Sequence, residues 1–158
     1  MPRPQRLLAL VALGLMLAGC VNQEGATLTP GADLRRLRSF HVVKFQPDNR
    51  GIERLIADDL RRRGLSATSG EEAARPPEVD ALVTYSDRWA WDITMYMLSL
   101  DITLRDARTG FPLAVGRSLH TSLTRQSPTE MVGEVIGNIL RAGAVAPATG
   151  GNNGAARP

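Results

Sequence analysis

From Asp92 to Ala107 the chain reads "DITMYMLSLDITLRDA", and from Leu98 to Arg105 apolar and polar residues take strict turns. Tyr96, Leu98, Leu100, Ile102 and Leu104 fall on one side of an extended chain, and Ser99, Asp101, Thr103 and Arg105 on the other. A repeat of two excludes a helix here, because helical side chains return to the same face about every 3.6 residues. One side must be covered and the other wetted, the pattern of an antiparallel sheet packed on a single face. "DARTG" (Asp106–Gly110) then supplies a turn, and "FPLAVGRSLHTSLTR" returns as the partner strand. Gly116 interrupts its alternation as a β-bulge would.

The covering layer lies to either side in the sequence. "DNRGIERLIADDLRRRG" places Ile52, Leu55, Ile56 and Leu60 on one helical face, with Asp48 or Asn49 as the cap and Gly64 as the stop. "SPTE" (Ser127–Glu130) is a capping box with proline at the first helical position, followed by Met131, Val132, Val135, Ile136, Ile139 and Leu140 as an apolar stripe. "SFHVVKFQ" (Ser39–Gln46), "LSAT" and "VDALVTYSDRW" (Val79–Trp89) read as further strands, and "SGEEAARPPE" as a loop. The predicted fold is α+β, a two-layer sandwich with a mostly antiparallel sheet and two helices on one face, in the order β-α-β-β-β-β-α. It occupies residues 35–143. The polar run before it, within 20–34, reads as a flexible tether, and 144–158 as a disordered tail.

The first twenty residues point to a compartment. Arg3 and Arg6 precede twelve uncharged, mostly apolar residues, Leu7 to Ala18, a run too short for a bilayer span of about 20 residues. The segment closes on Leu17-Ala18-Gly19-Cys20, which resembles the lipobox of bacterial lipoproteins. That resemblance implies a signal peptide over 1–19, cleavage before Cys20 and acyl chains on its thiol, so that the chain is held to a membrane through Cys20. Cys20 is the only cysteine, so no disulfide is available to the mature chain. Val21 is not the aspartate associated with inner-membrane retention, which makes the outer membrane's periplasmic face the expected location. Losing Arg3 and Arg6 leaves 17 basic against 16 acidic residues, and this near balance excludes a nucleic-acid footprint.

The run ending "RRRG" (Ile56 to Gly64), "VDALVTYSD" (Val79 to Asp87), "LSLDITLRDARTG" (Leu98 to Gly110), "AVGRS" and a final helix resemble a broad class of small bacterial outer-membrane lipoproteins, largely of the domain-of-unknown-function kind. Asp80 before Ala81, and Asp106 and Gly110 around the turn, carry the likeness. The element order is also similar to the N-terminal envelope domain of the Tol–Pal translocation protein. Both resemblances imply a fold and a compartment, and neither supplies a catalytic residue.

No catalytic constellation is visible, and no cofactor or metal is implied. A metal site would have to combine His41 and His120 with carboxylates, without helical ligand spacing. Ser118 and His120 lie two apart on one strand face, but outside the strained turn of a nucleophile elbow. Asp58-Asp59 and Glu71-Glu72 are adjacent and do not face one another on a helix. Arg61–Arg63, with Arg35, Arg36 and Arg38, form either a solvated helix end and basic stretch or a surface for lipid phosphates near the anchored end. "YSDRWAWDITMY" holds both tryptophans and both tyrosines. Tyr96 is expected in the core. Trp89, Trp91, Met95 and Met97 are either a packed hairpin end, with indole N–H groups reaching Asp87 or Asp92, or an aromatic surface of the kind found at interfaces. The sequence therefore reads as a non-enzymatic, lipid-anchored envelope protein acting as an interaction or structural module with an envelope protein partner. The alternative is a lipid- or glycan-binding domain using the aromatic hairpin and nearby arginines.

Overall fold

The computed structural model describes residues 25–46 and 49–145. Strands β1 (Gly25–Leu28) and β2 (Ser39–Val43) precede helix α1 (Ile52–Arg62). Strands β3 (Ser66–Gly70), β4 (Ala81–Trp91), β5 (Met95–Asp106) and β6 (Pro112–Leu119) follow, and helix α2 (Pro128–Val145) ends the domain. All six strands form one sheet in the order β1-β6-β5-β4-β2-β3. The β4–β5, β5–β6 and β1–β6 pairs are antiparallel, whereas β2 runs parallel to both β3 and β4. The parallel part follows from chain connectivity, because α1 crosses over between β2 and β3. Both helices cover one face, so the fold is α+β as the periodicities require. Ile52, Ile56 and Leu60 of α1 and Met131, Val135 and Ile139 of α2 are at most 1% exposed against Val83, Leu100, Ile102 and Leu104 of the sheet.

The structure adds a strand at the start. Residues 25–28, expected within the tether, pair with β6 from Gly25 opposite Arg117 to Leu28 opposite Ala114. The Thr29 hydroxyl then donates to the Pro112 carbonyl at 2.7 Å. Four residues are too few to show a period, but Ala26 and Leu28 pack on the core, and Leu34 is buried in a 3-10 turn (Leu34–Arg36). The stretch from Gly25 to Leu34 is thus part of the domain. At the other end α2 runs through Val145, and the expected tail beyond it lies outside the described residues, as do Cys20 and the whole leader.

Helix starts differ in how they are closed. Ser127 and Glu130 make the expected capping box: the Glu130 carboxylate accepts from the Ser127 N–H and hydroxyl, each at 2.8 Å. Those bonds hold its pKa below the ordinary glutamate value. Helix α1 instead begins at Gly51 with φ of 74°, a left-handed conformation suited to glycine, and no side chain among the described residues caps it. Asn49 does not cap α1, and Asp48 lies outside the described residues.

The alternation of β5 slips once. Arg88 lies opposite Ser99 but Trp89 opposite Met97, so Leu98 is an extra, unpaired residue. Everything before it changes sides: Met97 enters the core, 1% exposed, and Tyr96 turns to the face without helices. This overturns both the expected buried row through Tyr96 and the placement of Met97 on a partner surface. Gly116 keeps an unbroken register opposite Ile102, so it is no bulge; the second irregularity falls between Leu104 and Arg105.

Asp80, flagged in the sequence, pins β2 to β4. Its Oδ2 accepts from the Arg38 and Ser39 N–H groups, both at 2.8 Å, and from the Ser39 hydroxyl at 2.9 Å. These donors, the Arg38 N–H first, hold the carboxyl below its ordinary pKa. A depressed pKa gives stability that is present above the unfolded value of about 3.9 and is lost as pH falls through the folded value. Asp80→Asn is therefore expected to lower stability at pH 7, by about 1 kcal/mol given the exposure of the pin, with the gap closing below about pH 4. Urea titrations at pH 7 and pH 3 check this, and an equal gap at both would refute the assignment.

Candidate functional site

β4 and β5 reach beyond the helix layer as a two-stranded arm, and the tryptophans lie on it. Trp89 pairs with Met97 and Trp91 with Met95, all on the helix-side face. Packing separates the two pairs. Trp89 is half-buried against the core, with the Arg50 guanidinium 4.3 Å over its ring and its indole N–H donated to the Asp87 carboxylate. One step outward no helix among the described residues covers the face: Trp91 is 69% exposed, Met95 49% and Ile93, in the turn, 87%. Trp91 and Met95 are thus exposed, Trp89 is half-buried, and Met97 is core.

The turn is braced. Arg125, in the loop from β6 to α2, pairs with the Asp92 carboxylate, donates to the Thr94 hydroxyl at 2.7 Å and stacks 4.5 Å over the Tyr96 ring. The arginine beside Asp92 holds that carboxyl below its ordinary pKa. The bracing brings Leu123, 88% exposed, to the same end of the molecule. Leu123 and Ile93 were missed from sequence; an apolar residue inside a turn or a polar loop was the available signal.

The residues with conventional chemical potential do other work. The Ser118 hydroxyl donates to Glu134 Oε2 at 3.0 Å, and His120 Nε2 meets the same oxygen at 2.9 Å. Nucleophilic serine chemistry would need the imidazole on the serine hydroxyl. Here both groups point at one carboxylate, and both are at most 1% exposed. His41 joins the Thr68 hydroxyl at 2.8 Å and the Glu71 carbonyl at 3.1 Å. It lies on β2, separated from β6 by β4 and β5, so three strand spacings of about 4.8 Å keep the histidines apart. Among the described residues no group of three or more His, Cys, Asp and Glu side chains is placed to hold a metal.

The arginine clusters are largely paired within the chain. Arg61 meets Asp58, Arg62 and Arg63 share Asp59, and Arg35 and Arg36 share Asp33. Arg35, Arg38 and Arg63 line a shallow crevice between the 3-10 turn and the end of α2. That is the end opposite the aromatic arm, so nearness to Cys20 in sequence does not place them on the side from which the chain enters β1. Among the described residues no helix is long and apolar enough to cross a membrane.

No protein family and no curated protein matches the sequence. Among solved structures the fold is similar to PelC from Paraburkholderia phytofirmans, crystallised as a dodecamer in two crystal forms, in one as a leucine-to-methionine variant. The superpositions have TM-scores of 0.56 and 0.55 at 18% identity, and cover 74% of this chain and 98% of PelC. A PDZ domain protein from Parabacteroides distasonis aligns with a TM-score of 0.44 at 14% identity, over 78% of this chain and 37% of its own. At these identities the similarity to PelC is one of fold.

Proposed function

We propose that this chain is a lipid-anchored protein of the bacterial envelope, held at the outer membrane's periplasmic face through Cys20, whose domain is a non-enzymatic interaction or structural module. The observation that carries this reading is the exposed, braced aromatic arm, set against a buried polar interior whose serine and histidine are tied to one carboxylate. A catalytic site keeps reacting groups accessible, whereas here the accessible unusual chemistry is apolar surface. The fold likeness to PelC, a protein crystallised as a dodecamer, supports a role in an assembly and makes self-association part of the proposal.

The anchor is tested by Cys20→Ser in a host that processes lipoproteins. Wild-type protein is expected to incorporate labelled palmitate and resist alkaline extraction from membranes. The variant is expected to incorporate none and to stay as unprocessed precursor. Equal labelling of the two would remove the anchor. Light scattering on the detergent-solubilised wild type reads the assembly, and a strictly monomeric mass would leave the module without its oligomeric part.

A further inference from the structure

The tether is short, and the direction from which the chain enters the domain is fixed. Cys20 and Gly25 are five residues apart, so covalent geometry limits their separation to about 18 Å. Gly25 lies opposite Arg117, which lies opposite Asp101, and β1 runs away from the arm toward Leu28. The chain therefore enters β1 from the arm side. From Asp101 to Met95 the strand climbs about 17–20 Å toward the tip. The tether's reach and the arm's height thus agree, and an acylated Cys20 keeps the tip within contact distance of the leaflet that holds its chains.

Resting on the anchored reading above, we infer that the tip formed by Trp91, Ile93 and Met95, with Leu123 beside it, is a bilayer-docking surface that enters the same leaflet. The chemistry fits. Four large apolar side chains stand out at one end, and a tryptophan's flat apolar ring with a polar N–H suits the headgroup boundary. Lys44, Arg50, Arg88 and Arg125 lie behind the tip, with Asp87 and Asp92 among them, so the rim is only weakly basic and insertion is driven by the apolar residues. Docking at a second point, away from Cys20, fixes the domain's orientation and leaves the crevice end facing away from the membrane.

The test uses the processed, acylated full chain in vesicles of phosphatidylethanolamine and phosphatidylglycerol. Trp89→Phe leaves Trp91 as the sole tryptophan. Nitroxide groups at a shallow acyl position are expected to quench Trp91 about twofold or more, and Ile93→Glu, at an exposed site, to remove most of that quenching while thermal unfolding stays unchanged. Protein that floats with the vesicles while Trp91 stays unquenched would overturn docking but keep the anchor. Blue-shifted emission that nitroxide lipid does not quench would instead place a second copy or a protein partner on the tip, and would also overturn it. Failure to float would remove the anchor and the docking argued from it together.

Discussion

Gly116→Val is expected to lose about 3 kcal/mol of stability, or roughly 10 °C in Tm, with little effect from the same substitution at Gly25. A Cβ at Gly116 would stand 2.8 Å from Val135 Cγ1 and from Ile139 Cγ1, and 2.9 Å from Ile139 Cδ1. Carbon atoms pack best at about 3.5–4.0 Å. The obstructing side chains are β-branched, on a helix, and fully buried, so they have one favoured rotamer and nowhere to turn. The helix itself must lift from β6. Against this stands the gain from replacing glycine in a strand, which is about 1 kcal/mol at most. The clash wins because it displaces a whole element. Gly25, on the edge strand β1, has nothing within 4 Å of the point where a Cβ would stand and provides the matched control. Chemical denaturation of both variants settles the comparison, and equal loss at the two positions would mean that glycine's backbone, not the close approach of α2, is what β6 requires.

That glycine marks the boundary of what the sequence makes legible. Periodicity identified both helices, the β4–β5–β6 meander and the single covered face, because each rests on local repetition over eight or more residues. It could not identify β1, whose four residues acquire meaning only opposite β6. Nor could it foresee the extra residue at Leu98: the pattern through Leu104, Ile102 and Leu100 continues without a break to Tyr96, and only the pairing with Trp89 shows that Met97 takes the inward place. The error in the candidate surface follows from that one slip, because it exchanges the environments of Tyr96 and Met97 but leaves Trp91 and Met95 exposed. Gly116 carried a true signal with the wrong cause. A glycine in a strand marks either a bulge or a close approach, and the choice depends on an element nearly twenty residues away in sequence.

Glu134→Leu is expected to cost about 2–4 kcal/mol, more than its partly exposed position would suggest, because the loss falls on its partners. Ser118 and His120 face α2 from the end of β6 and are fully buried, and Glu134 Oε2 is the acceptor for both. Removing it leaves two polar groups in an apolar setting, each costing about 1–3 kcal/mol when unmet. A leucine fills the space without replacing the acceptor, so improved packing offsets only part. Glu134→Gln keeps an oxygen and is expected to lose less. The decisive variant is the triple Ser118→Ala, His120→Leu, Glu134→Leu, which removes the donors together with the acceptor and is expected to recover much of the stability lost by Glu134→Leu alone. Such recovery would show a network whose members need one another. A triple variant less stable than the single by the sum of its parts would show three independent contacts, and the polar cluster between β6 and α2 would then be ordinary packing.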